Sequence, residues 1–144
     1  MRKILYLVPM ALMALSSCLG TSTTPAPSSV NIPTGTFTGQ FRRVHKNPVN
    51  NKVDTLKANL TLTLSTATGY AVTGDTTSLH AGSNGIWTIN DTYITFVDNT
   101  LQRTGTPVKI HLNGTYTYGY DGSKLQFLTT FADTLAYQYD LKKN

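Results

Sequence analysis

The chain has 144 residues, with 12 Lys and Arg against 7 acidic residues, a formal net charge of +5 and one cysteine. That length supports one independent domain rather than two. The lone cysteine excludes an internal disulfide framework, and mild, scattered basic charge argues against a nucleic-acid partner. All seven acidic residues are aspartate, which favours turns, and none is glutamate, which favours helix interiors, so a turn-rich, helix-poor fold is expected.

Residues 1–17 read as a secretory signal: Arg2 and Lys3, an apolar run from Ile4 to Leu15, then Ser16 and Ser17. The apolar run is well short of the roughly 20 residues a spanning helix needs, and Pro9 interrupts it. Leu15-Ser16-Ser17-Cys18 is similar to a bacterial lipobox, which implies cleavage before Cys18 and lipidation of its thiol. Loss of Arg2 and Lys3 leaves 10 basic residues against 7 acidic ones, a balance of +3. Residues 18–33 form the lipidated cysteine and a tether rich in Ser, Thr and Pro, which reaches at most about 50 Å when extended.

Residues 34–144 show recurring period-two alternation and no sustained helical periodicity. Phe37, Gly39 and Phe41 open the series. Leu56, Ala58, Leu60, Leu62 and Leu64 then alternate with polar residues, the pattern of a strand with one dry face. Trp87 and Ile89 lead through Asn90-Asp91 into Ile94 and Phe96. Val108, Ile110, Leu112, Gly114, Tyr116, Tyr118 and Tyr120 alternate next, and Asp121-Gly122 signals a two-residue hairpin into Leu125, Phe127, Thr129 and Phe131. Asn113-Gly114 reads either as a turn splitting that long run or as a glycine bend within it, and the unbroken alternation favours the bend. Leu135, Tyr137, Tyr139 and Leu141 close the series. The expected fold is all-β, about eight antiparallel strands in an up-and-down meander that closes into a barrel, because closure removes exposed edges.

No catalytic constellation emerges: there is no Gly-x-Ser-x-Gly elbow, no glutamate acid and no paired carboxylates, so a non-enzymatic protein is expected. His45, His80 and His111 lack metal-ligand spacing and read as solvated surface residues; no metal or cofactor is implied. Tyr116, Tyr118, Tyr120 and Tyr137 can line a pocket, since aromatic faces with polar tips suit small ligands, or can simply be barrel core. Of Arg42 and Arg43 one must point inward on a regular strand, where it can bind a ligand carboxylate; Arg43 is the candidate.

Gly35-Thr36-Phe37, Gly85-Ile86-Trp87-Thr88-Ile89, Leu112-Asn113-Gly114-Thr115-Tyr116, Tyr120-Asp121-Gly122-Ser123-Lys124-Leu125 and Tyr137-Gln138-Tyr139-Asp140-Leu141 together resemble the small lipocalin-like lipoproteins of Bacteroidota-type bacteria. The resemblance implies a calycin-type barrel, with Phe37 where the lipocalin signature has a floor tryptophan and Lys142 and Lys143 where it has an arginine. Asp54-Thr55-Leu56, Asp75-Thr76-Thr77 and Asp133-Thr134-Leu135 resemble O-glycosylation acceptors of exported proteins in such bacteria, which marks Thr55, Thr76 and Thr134. No acidic cluster follows Cys18, which favours a periplasm-facing outer-membrane location. The expected protein is a monomeric, lipid-anchored envelope lipoprotein that binds a small apolar ligand. The alternative is an interaction module with a packed core, such as a surface component, inhibitor or accessory subunit, working through the loops Thr73 to Asn84 and Leu101 to Pro107.

Overall fold

The computed structural model describes residues 31–102, 104–105 and 108–144, and over them the protein is all β. Eight antiparallel strands pair in sequence order: β1 (Gly35–Lys46), β2 (Val53–Ser65), β3 (Gly69–Gly74), β4 (Ser83–Ile89), β5 (Tyr93–Asp98), β6 (Gly114–Tyr120), β7 (Lys124–Phe131) and β8 (Leu135–Lys143). β1 also pairs with β8, from Phe37 opposite Lys143 to His45 opposite Leu135, so the meander closes. This is the up-and-down architecture expected from the alternation, consistent with a lipocalin-like barrel.

Alternation decides what fills the barrel. Ala58, Leu60, Leu62 and Leu64 of β2 are buried while Thr61, Thr63 and their polar neighbours face outward, as pleating requires. Phe37 and Phe41, Ile94 and Phe96, Leu125 and Phe127, and Tyr139 and Leu141 add the inward residues of the other strands. Gly39 lies between the two phenylalanines for a steric reason. A Cβ there would fall on the carbonyl oxygen of Asp140 and 2.9 Å from Leu141 Cα, so β8 crosses where a side chain would stand.

Four turns share one device, a side-chain oxygen accepting backbone N–H groups just ahead of it. Asn47 accepts from Val49 and Asn50, Ser65 from Ala67 and Thr68, Asn90 from Thr92 and Tyr93, and Asp121 from Ser123 and Lys124. The β6–β7 hairpin closes through Asp121 N–H to Lys124 O at 3.2 Å, so its two loop residues are Gly122 and Ser123, one position later than the sequence signal places them. Gly122 supplies the positive φ, +97°, that the first loop position demands.

The two barrel ends differ. The chain enters β1 at the end that carries the short turns 66–68, 90–92 and 121–123. At the other end, segments 75–82 and 108–113 fold over the opening and meet through a parallel bridge between His80 and Ile110, with Ala81 N–H donating to Ile110 O at 2.8 Å and Ile110 N–H to Leu79 O at 3.0 Å.

The structure departs from the sequence expectations at three places. The alternating run from Val108 does not continue β6, which starts at Gly114 with φ +106°; residues 108–113 belong to the end cover, Leu112 buried and Val108 99% exposed. Leu56 is 42% exposed at the rim, so the dry face of β2 begins at Ala58. Segment 73–84 is not a wholly exposed loop, because Tyr70–Val72 of β3 pairs with Ser83–Gly85 of β4 and His80 and Ala81 turn inward.

Candidate functional site

The barrel interior is occupied by side chains. Phe96, Tyr116, Phe127 and Tyr139 form a continuous aromatic cluster: Phe96 meets Phe127 at 5.5 Å, Phe127 stacks on Tyr139 at 4.4 Å, and Tyr116 meets all three edge-on at 5.4 to 5.9 Å. Tyr116 is 1% exposed, and burial pushes its phenol up to about 12.

His80 seals the loop end of this core. It is fully buried, edge-on to Phe41 at 4.9 Å, so the solvated-surface expectation is wrong for this residue. A carbonyl can only accept, so Nδ1–H donates to Ala81 O at 2.7 Å, and Nε2 accepts from the Tyr139 hydroxyl at 2.9 Å. Burial lowers its pKa from 6.5 to about 4, so the ring is neutral near pH 7 and Nε2 is then the acceptor of the Tyr139 hydroxyl. Tyr70 O–H donates to Leu112 O at 2.5 Å, tying the second covering segment to β3.

Above this seal lies an open cleft of about 470 Å³, lined by Arg43, Ser78, Leu79, Leu101, Val108, Lys109, Ile110, His111, Asn113 and Tyr137. Arg43 and Tyr137 are directly opposed on β1 and β8. Lys109 donates from Nζ to Thr76 O at 2.8 Å. His111 donates Nδ1–H to Asp98 Oδ2 at 2.6 Å, and Asp98 Oδ1 accepts from the Thr100 N–H at 2.7 Å and hydroxyl at 2.6 Å. The Asp98 side chain is entirely buried. The solvated reading therefore fails for His111 too, which is half-buried and held by a carboxylate. Among the described residues no hydroxyl hydrogen-bonds its Nε2, and no group of three or more His, Cys, Asp or Glu side chains can hold a metal.

The five residues expected to line a pocket do not form one site. Arg43 and Tyr137 share the cleft. Tyr116 belongs to the packed core. Tyr118 donates to Asn90 O at 2.9 Å and borders a separate groove of about 340 Å³ on the barrel flank. Tyr120 sits at the opposite end, donating to Gly122 O at 2.8 Å and packing edge-on against Phe37 at 5.9 Å. Thr55, Thr76 and Thr134 all lie toward the loop end, Thr55 exposed on β2, Thr76 half-buried after β3 and Thr134 half-buried before β8. Cys18, with the signal and most of the tether, lies outside the described residues.

Lys109, His111 and Asp98 are the site residues that sequence reasoning missed. Asp98 and His111 are 13 positions apart, and the segment between them has no periodicity that foretells its return. No protein-family model, curated protein or solved structure matches the chain.

Proposed function

We propose that this protein is a lipid-anchored, non-enzymatic envelope lipoprotein of the lipocalin-like kind, whose barrel is a packed scaffold and whose recognition surface is the loop end. The filled interior carries this reading. A ligand site needs roughly 300 Å³ or more, and the space an apolar ligand would take inside the barrel is held by Phe41, Phe96, Tyr116, Phe127 and Tyr139. This favours the interaction module over the internal carrier. The polarity of the barrel supports it as well, since β1 starts at the end opposite the cleft and a membrane tether through Cys18 would hold the loop end outermost.

Native mass spectrometry on protein purified from its own envelope tests the proposal. The expected species is the polypeptide from Cys18 with its acyl groups and no uncharged apolar molecule. Stoichiometric retention of such a molecule, indifferent to changes at the loop end, would overturn the scaffold reading. An unacylated Cys18 would overturn the anchor.

A further inference from the structure

We propose that the loop-end cleft binds a small amphipathic anion, its head group held by Arg43 and Lys109 and its apolar body laid against Leu79, Ile110 and Tyr137. The inference rests on the reading of the loop end as the recognition surface and adds the chemical class of what is recognised.

The charges around the cleft are unbalanced in a specific way. Arg42 and Arg43 are neighbours on β1, yet they are treated differently. The outward Arg42 is paired with Asp140 at 3.2 Å, whereas among the described residues the inward Arg43 has no ion pair and no hydrogen bond, although it is half-buried. Among the described residues Lys109 is anchored through a single donor to Thr76 O, and its other two ammonium hydrogens have no partner there. No carboxylate among the described residues lines the cleft. The nearby Asp98 directs both carboxylate oxygens to Thr100 and His111 and makes no ion pair with Arg43. A half-buried guanidinium without a counter-charge is a standing demand for an anion, and its planar fork matches a carboxylate or phosphate through two parallel hydrogen bonds.

The walls define the rest of the ligand. Leu79, Ile110 and Tyr137 are half-buried and pack against the core cluster, so they are firm apolar surface. A neutral apolar molecule would cover Arg43 without pairing it, and a wholly polar anion would leave those walls wet; a molecule with one anionic end and a short apolar body satisfies both. The cleft volume of about 470 Å³ lies within the range of small-ligand sites.

The test is calorimetric titration of the full-length protein in phosphatidylcholine nanodiscs, with empty discs subtracted, using octanoate, octyl phosphate, octanol and octylamine as probes. Saturable binding of octanoate or octyl phosphate is expected, weakened at least tenfold by Arg43→Gln and several-fold by Lys109→Gln, and unchanged by Arg42→Gln on the outer face. The relative affinity of the two anions identifies the preferred head group. Octanol binding as tightly as both anions, an Arg43→Gln variant that binds like the parent, or no saturable binding of either anion would overturn the proposal. Failure here combined with loop-end contacts to an envelope partner would leave the recognition surface standing and remove only its ligand class.

Discussion

His80 shows how one polar residue can hold an apolar barrel shut and what that costs in acid. Burial lowers its pKa from 6.5 to about 4, so near pH 7 the folded ring is neutral, donating to Ala81 O and accepting from Tyr139. The unfolded chain therefore takes up a proton before the folded one does. The contribution of the neutral ring is complete above pH 6.5 and declines as pH falls towards 4, by about 3 kcal/mol at its limit. Urea unfolding at pH 7 and pH 4.5 should show this loss in the parent and not in His80→Gln, which is expected to be less stable at pH 7 but flatter with pH. Equal pH slopes in the two proteins would contradict the assignment. Nothing local in the sequence marks His80 as buried. The available signal is the short apolar island Leu79-His80-Ala81 in a polar stretch, which becomes meaningful only once a second segment is known to fold over it.

Among the elements, the strands were legible wherever alternation met a matching neighbour. β2, β7 and β8 follow their patterns through their middles, because each buries one face against the same core, while the pattern residues Leu56 of β2 and Phe131 of β7 are exposed at the strand ends. The run Val108, Ile110, Leu112 alternates as well and is not a strand: a segment laid across the barrel end also dips one residue in two toward the core, so period two alone cannot separate cover from wall. β3 escaped notice for the opposite reason, with only Tyr70 and Val72 to signal it. Barrel closure itself depends on close approach at Gly39. Gly39→Ala places a Cβ on the β8 backbone and should destabilise by about 1–3 kcal/mol in chemical denaturation. Gly119→Ala, on β6 where nothing lies within 4 Å of a new Cβ, should change stability by less than about 0.5 kcal/mol. Similar effects at the two positions would mean that the β1–β8 seam is not the tight crossing described.

For the whole molecule, the sequence carried the fold class and the anchor expectation but not the site. The all-β barrel follows from periodicity and turn chemistry, which are local, although β3 left no pattern of its own. The cleft depends on how 75–82 and 108–113 pack on each other, a long-range arrangement with no local pattern, and only Arg43 and Tyr137, fixed by strand parity, were found in advance. A filled barrel leaves its loop end as the surface that can recognise a partner or ligand. Site-specific photo-crosslinking in intact envelopes tests it most directly, with the photoreactive residue placed in turn at Val108 on the loop end, Leu128 on the flank and Tyr93 beside the β4–β5 turn, all three exposed. Discrete adducts are expected from position 108 and none of comparable yield from 128 or 93; adducts from the flank or the tether end without any from 108 would mean that the loop end is not the recognition surface.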